Sequence, residues 1–201
     1  SEYEKAEKLL LDAKNLFEVK INITTHPFYF NCLLNLANLY KILGEFEKAE
    51  PIYLKMLPLV EKTRGKEHPD YIKLLNSLAT LYGNYGQFQK AEKLFSEALS
   101  IAEQVLGVEH PQYLSILNNV ATFLSVTKPE KSLAMFNKLK SIYEKSTSMD
   151  TLEYCGMLVN MANFYSGMNQ ESKAEKLYLD VKDIFENKLN DREQPYYWNC
   201  L

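Results

Sequence analysis

A pattern of two predicted helices joined by a turn recurs along this chain. The clearest copy runs from Asn76 to Leu99 and reads NSLATLYGNYGQFQKAEKLFSEAL. Equivalent alanines stand at Ala37, Ala79 and Ala121, which are 42 residues apart, and Ala162 follows after 41. A period between about 20 and 50 residues is typical of arrays whose units stack on their neighbours. The sequence therefore predicts an all-α fold of stacked, antiparallel helix pairs.

Each unit contains two amphipathic helices. Leu33, Leu36 and Tyr40 recur at spacings of three and four residues, which places them on one helical face. Small residues such as Ala37 and Ala49 indicate where the two helices cross closely, since a larger side chain would push the backbones apart. First helices are predicted at 27–42, 69–85, 111–126 and 150–168. Second helices are predicted at 46–63, 88–106, 129–145 and 171–189.

The period also divides the chain into units. The predicted units are a half-repeat at 1–25, repeats at 26–67, 68–109, 110–149 and 150–194, and the start of a further repeat at 195–201. Because a repeat cannot bury its apolar face alone, we expect residues 1–201 to form a single array. The final PYYWNCL echoes PFYFNCL at 27–33. We therefore expect an array cut from a longer one, or one capped by half-units.

The turns and linkers carry their own signals. Gly44 and Gly86 are predicted to be left-handed residues after a helix end. The third turn is one residue shorter, and there Pro129 is predicted to open the second helix. Three histidines precede prolines at equivalent places: His26, His68 and His110. We interpret them as residues that pack or cap, and not as a catalytic or metal-binding set.

Composition narrows the function classes. The chain has 23 Lys and Arg against 26 Asp and Glu, a net charge of −3, which disfavours nucleic-acid binding. Its apolar runs fall far short of the roughly 20 residues that span a bilayer. Cys32, Cys155 and Cys200 have no metal-ligand spacing, and the charged start SEYEKAEK does not resemble a signal peptide. We therefore expect a cytoplasmic protein with reduced thiols and without membrane insertion.

No catalytic constellation is evident. The sequence contains neither a Gly-rich phosphate loop nor an HExxH motif. Acidic neighbours such as Glu47 and Glu50 flank Lys48, as is ordinary for charge pairing on a solvated helix face. We predict that the chain is not an enzyme and that it uses no cofactor and no metal.

The repeat resembles the tetratricopeptide repeat. The resemblance is carried by Leu36–Ala37, Tyr40, Gly44, Ala49 and Tyr53, with Phe46 and the counterparts one period on. The 42-residue period and the stretches ILNNVATF, GQFQKAEKLF and GVEHPQY are similar to the kinesin-light-chain subclass. The resemblance implies a right-handed superhelix, or solenoid, that binds partners on its concave face. In kinesin light chains that groove holds short peptides of cargo adaptors.

In that architecture the first helix of each pair lines the groove. The predicted peptide-groove residues are Asn31, Asn38, Lys41, Lys73, Asn76, Thr80, Asn118, Thr122 and Asn163. An Asn side chain both donates and accepts, so such a row would hold a peptide backbone without reading much sequence. Pockets near Leu34 and Val159 would then supply specificity. Because Lys41 and Lys73 are the only basic members, a strongly acidic ligand is disfavoured.

A neighbouring row has a competing structural interpretation. Its members are Asn35, Ser77, Asn119 and Asn160, and they are candidates to satisfy backbone groups of the preceding linker. Near the end of the chain, Asn199 would begin the groove row of a fifth unit. Tyr196, Tyr197 and Trp198 match the core of a cut repeat, which could support a homodimer through the exposed array ends.

Function is predicted as a protein–protein interaction module. The expected partner is another protein, presented as an extended peptide or as a helix. Two alternatives remain open from the residues alone. One is a structural spacer or self-association element, and the other is a regulatory domain of a larger enzyme or receptor.

Overall fold

The computed structural model describes residues 2–146, 149 and 151–189. In this part of the chain the structure consists of helices and turns and contains no strand, which confirms the predicted all-α class. The described residues divide into two compact units, one within residues 1–105 and one within 106–201. A single continuous array over 1–201 stays a prediction.

Each unit contains two helix pairs, and in unit 1 a further helix, α1, precedes them. Unit 1 contains α1 (Glu2–Asn15), α2 (Pro27–Ile42), α3 (Phe46–Arg64), α4 (Pro69–Asn84) and α5 (Phe88–Val105). Unit 2 contains α6 (Pro111–Leu124), α7 (Pro129–Lys145), α8 (Leu152–Gly167) and α9 (Glu171–Ile184). Short π-helical segments continue α1 at Leu16–Ile21 and α9 at Phe185–Leu189. Within each unit every first helix packs against the second helix that follows it.

The residues where the helices of a pair cross are small, as predicted. Ala37 and Ala49 are both fully buried where α2 meets α3, and Tyr53 fills the space beside them, also at 0% exposure. The third pair has Ser132 in place of the second-helix alanine. The buried Ser132 hydroxyl donates to the carbonyl of Ala121 at 2.7 Å, so the polar atom gains a partner inside the crossing.

Three of the four turns within the pairs end their first helix in the same way. The residue after the helix end has a positive φ, of 76° at Gly44, 72° at Gly86 and 55° at Asn169. This confirms the left-handed backbone predicted for the two glycines. The next residue's N–H then reaches back to a carbonyl five residues earlier, as in the 2.8 Å bond from Glu45 N to Tyr40 O. These bonds satisfy carbonyls that the helix end would otherwise leave unpaired.

The third turn is built differently. None of the described residues 125–128 has a positive φ. Helix α6 ends at Leu124, two residues before the predicted end, and the N–H of Lys128 bonds to the carbonyl of Leu124 at 2.8 Å. Pro129 then opens α7, as predicted. The missing residue therefore shortens the first helix of this pair and leaves its second helix in place.

The three histidines cap helices. Each Nδ1 accepts the backbone N–H two residues later, at 3.2 Å for His26, 3.1 Å for His68 and 3.1 Å for His110. Each following proline takes the first helical position, where a missing N–H costs nothing. In the fourth pair Thr151 caps α8 instead, by accepting from the N–H of Tyr154 at 3.2 Å.

A polar cluster joins α1 to the first helix pair. The Glu18 carboxylate accepts hydrogen bonds from the Tyr29 hydroxyl and from Lys55 Nζ, the latter at 2.7 Å, and Lys14 Nζ lies 3.4 Å away. Burial raises the pKa of Glu18, but the bonds from Lys55 and Tyr29 and the charges of Lys14 and Lys55 outweigh burial and lower it to about 2. The cluster therefore holds Glu18 in its charged form.

Candidate functional site

The predicted groove residues of unit 1 lie on its two first helices, α2 and α4. Asn31 and Lys73 are exposed, whereas the other four are half-buried: Asn38, Lys41, Asn76 and Thr80. Asn38 and Thr80 are engaged within the unit, so this surface is a set of polar groups that are partly held by the fold. Asn31 makes no hydrogen bond to other described residues, so its whole amide is available.

The predicted groove residues of unit 2 lie on α6 and α8. Thr122 and Asn163 are exposed, and Asn118 is half-buried. Asn160 Nδ2 donates to Asn118 Oδ1 at 3.3 Å, so this side chain bridges the two first helices. For Asn160 the structure therefore shows a side-chain partner on α6, and not the linker backbone that the competing interpretation assigned to its row.

Two of the groove asparagines are hydrogen-bonded to tyrosines of their own helix pair. The Tyr53 hydroxyl donates to Asn38 Oδ1 at 2.7 Å, and the Tyr178 hydroxyl donates to Asn163 Oδ1 at 2.6 Å. Burial raises the pKa of Tyr53, which keeps its hydroxyl protonated as a donor. With each amide oxygen engaged, the N–H groups of Asn38 and Asn163 form no hydrogen bond within the described residues.

In the other two helix pairs the residue equivalent to these asparagines is threonine. There the second helix carries Phe95 or Phe136, which has no hydroxyl to satisfy. Thr80 Oγ1 donates to the carbonyl of Asn76 at 2.9 Å, and Thr122 Oγ1 donates to the carbonyl of Asn118 at 2.9 Å. The predicted groove residue is therefore Asn where the second helix carries Tyr and Thr where it carries Phe.

The two basic groove residues differ in environment. Lys73 is exposed, whereas Lys41 is half-buried and burial lowers its pKa. Within the described residues, no carboxylate forms an ion pair with either lysine. Lys41 is thus a partly desolvated cation whose charge a ligand could neutralise.

Leu34 and Val159, near which specificity pockets are predicted, lie almost entirely beneath the surface. These residues are only 3% and 4% exposed, because both pack into the core of their units. Cavities of about 370 Å³ and about 250 Å³ instead lie between α6 and α8. Asn160 lines the larger cavity and Asn118 the smaller one, so their hydrogen bond stands between the two.

Other site types find no support in the part of the chain that the structure describes. Among those residues there is no cluster of three or more His, Cys, Asp or Glu that could hold a metal ion. Nor does any helix there have the length and apolarity needed to cross a membrane. Asn199, Cys200 and the aromatic residues predicted to support a dimer lie outside the described residues: Tyr196, Tyr197 and Trp198.

Known proteins resemble this chain in sequence and in structure. A family model described as the tetratricopeptide repeat matches residues 29–103 and 85–145, which together make up more than half of the chain. No curated protein matches. Many solved structures do, including the nearly identical TPR-like repeats of a Podosopora anserina protein assigned as a kinesin light chain.

The structural matches are extensive but distant in sequence. One structure of the Podosopora anserina repeats has a TM-score of 0.73 at 21% identity and covers 94% of this chain and 89% of that one. A second structure of those repeats has a TM-score of 0.70 at 21% identity, covering 92% and 89%. BtubC (BKLC) from P. vanneervenii has a TM-score of 0.73 at 20% identity, covering 98% and 80%. At this identity the matches show a shared fold.

Proposed function

Because this chain belongs to the tetratricopeptide repeat family, whose members generally mediate protein–protein interaction, we propose that it is a non-catalytic module that holds an extended peptide. Within each unit the peptide would lie along the first helices, which are α2 and α4 in unit 1 and α6 and α8 in unit 2. The observation that carries the proposal is the orientation of the groove amides. Intramolecular partners occupy the oxygens of Asn38 and Asn163, which leaves N–H donors for a ligand.

Side-chain amides that are already held in place can donate hydrogen bonds to a peptide backbone. An extended chain presents carbonyl groups that accept hydrogen bonds along its whole length. Asn38 and Asn163 would donate to such carbonyls without losing side-chain entropy on binding, because Tyr53 and Tyr178 already hold them. Asn31, which is exposed, adds a flexible amide at the start of the row. The module would therefore bind backbones broadly and distinguish ligands by a few side chains.

Charge supplies part of that distinction. Lys41 and Lys73 are the basic members of the row, and neither pairs with a carboxylate within the described residues. One or two acidic groups on the ligand would pair with them, whereas a densely acidic peptide would find too few partners. We also place the protein in the cytoplasm, because Cys32 and Cys155 are buried free thiols.

The test uses peptides selected from a displayed library of random short peptides with the wild-type chain. We expect Asn38→Thr/Tyr53→Phe/Asn163→Thr/Tyr178→Phe, which gives both pairs the Thr and Phe of the other two, to weaken the selected peptides at least tenfold, since each lost hydrogen bond is worth about 0.5–1.5 kcal/mol. Isothermal titration calorimetry measures the change. The control is Asn137→Ala, an exposed asparagine on the second helix α7. Unchanged affinity in a quadruple variant that still melts cooperatively would rule out the row.

A further inference from the structure

We propose that the larger cavity between α6 and α8 anchors one uncharged apolar side chain of the bound peptide. In the same place, Asn160 and Asn163 hold the backbone amide groups of that residue. The inference rests on the proposed peptide-binding function and adds to it a specificity pocket. We call this cavity the α6–α8 pocket, and its volume is about 370 Å³. That volume is at the small end of the roughly 300–1,000 Å³ of ligand sites.

The pocket exists because the third turn departs from the repeat. Helix α6 ends early at Leu124, and the following turn brings Val126 and Pro129 to one side of the cavity. Val126 is 89% exposed, so this apolar side chain has no cover in its own unit. On the opposite side α8 ends in Gly167, whose missing side chain leaves the space open.

The lining excludes charge. None of the described residues that line the α6–α8 pocket is ionisable, and its apolar walls include Val126, Pro129, Phe164 and Met168. A charged side chain placed there would lose hydration without gaining a partner, which costs free energy. An apolar side chain of moderate size would bury Val126 and its neighbours and would be favoured. The pocket therefore selects an uncharged apolar residue.

Two asparagines at the pocket offer opposite hydrogen-bonding groups. Asn160 uses its N–H group on Asn118 at 3.3 Å, so its oxygen remains as an acceptor. Asn163 uses its oxygen on the Tyr178 hydroxyl at 2.6 Å, so its N–H groups remain as donors. Three residues apart on α8, they lie on one helical face. Together they match the N–H and C=O of one residue of an extended peptide, with each amide oriented before the ligand arrives.

Gly167→Leu tests the pocket without disturbing the fold. The backbone of Gly167 does not have positive φ, and a Cβ there would meet no described atom within 4 Å. Leucine also has a higher helix propensity than glycine. The added side chain would occupy the open pocket. The matched control is Asn84→Leu, because exposed Asn84 ends α4 at the equivalent position of the second repeat.

The probes are the peptides selected from the random library by the wild-type chain, with affinities measured by calorimetry. We expect Gly167→Leu to weaken them at least tenfold and Asn84→Leu to leave them unchanged. Each peptide should contain one apolar residue whose replacement by Lys or Glu costs the same factor in the wild type. That replacement should cost little more in Gly167→Leu, since the pocket is already filled.

The outcomes separate this proposal from the general function. If Gly167→Leu binds as the wild type does while the quadruple variant loses affinity, the row binds peptides and the pocket proposal is wrong. Tolerance of Lys or Glu at every peptide position would overturn it as well. If neither the quadruple variant nor Gly167→Leu changes affinity, or if no peptide is selected, both proposals fail together.

Discussion

The first and second helix pairs of unit 1 fill the same positions with different chemistry. In both pairs the crossing alanines are fully buried, at Ala37 and Ala49 in one and at Ala79 and Ala91 in the other. Beside them the first pair places Tyr53 hydrogen-bonded to Asn38. The second pair places Phe95 next to a threonine, Thr80, that bonds to its own helix.

This difference indicates that the residue in the predicted groove row depends on the aromatic residue beside it on the second helix. A buried tyrosine hydroxyl requires an acceptor, and for Tyr53 that acceptor is Asn38, a member of the predicted groove row. A phenylalanine makes no such demand, so a threonine satisfied by its own backbone is sufficient. Unit 2 repeats the comparison in reverse order, with Phe136 in its first pair and Tyr178 in its second. The positions of Asn in the predicted groove row thus follow the positions of Tyr on the second helices.

The largest expected effect is a loss of folding stability in acid, caused by Glu18, which is bonded to Tyr29 and Lys55 of the first pair. The pKa of Glu18 is about 2 in the folded chain, against an ordinary value of 4.5. Its contribution to stability is therefore complete above pH 4.5 and is lost as the pH falls towards 2. Over that interval the wild type should lose up to about 3 kcal/mol more than Glu18→Gln. Urea unfolding at a series of pH values measures this, and parallel curves would contradict it.

Removing the acceptor should cost more in the first pair than in the second. Asn38→Leu leaves the fully buried Tyr53 hydroxyl without its 2.7 Å acceptor, for an expected loss of about 2 kcal/mol. Thr80→Val should cost less than about 1 kcal/mol, because the carbonyl of Asn76 keeps its place in the helix. Urea unfolding at neutral pH compares the two. Equal losses would show that the hydroxyl finds another partner.

Exchanging the chemistry of the two pairs should give the smallest change. Asn38→Thr and Tyr53→Phe together convert the first pair to the second type, because the Tyr53 hydroxyl and its acceptor are removed at the same time. A double-mutant cycle should give a coupling of about 1 kcal/mol, with the double variant more stable than the sum of the single losses. Thr80→Asn with Phe95→Tyr is the matched reverse exchange. Additive losses in both cycles would mean that the two positions are independent.

Local patterns predict the helix pairs well. The predicted bounds of α2 and α7 agree with the structure, because prolines mark where both helices begin. The left-handed glycines at Gly44 and Gly86 also appear as predicted, since few other residues accept that backbone. The π-helical segment at Phe185–Leu189 is instead predicted as the end of a continuous α-helix. Hydrophobic periodicity over so few residues does not separate the two forms.

The sequence does not predict which side chains on different helices contact each other. The bridge from Asn160 to Asn118 depends on the spacing of α6 and α8, which no single repeat encodes. The α6–α8 pocket likewise depends on where α6 stops. One signal of the groove chemistry does stand in the sequence, since Asn accompanies Tyr and Thr accompanies Phe in all four pairs. The groove row as a ligand site stays a prediction.

The three capping histidines have a consequence for spectroscopy. Because each Nδ1 lone pair is occupied by a backbone N–H, the single ring proton lies on Nε2 in all three. Long-range proton–nitrogen correlation would therefore show one shared tautomer for His26, His68 and His110, the chain's three histidines. When the start of a helix unwinds, the bond that fixes this tautomer is lost and the ring exchanges between its two tautomers. The chain thus carries three natural reporters of local opening, at the beginnings of α2, α4 and α6.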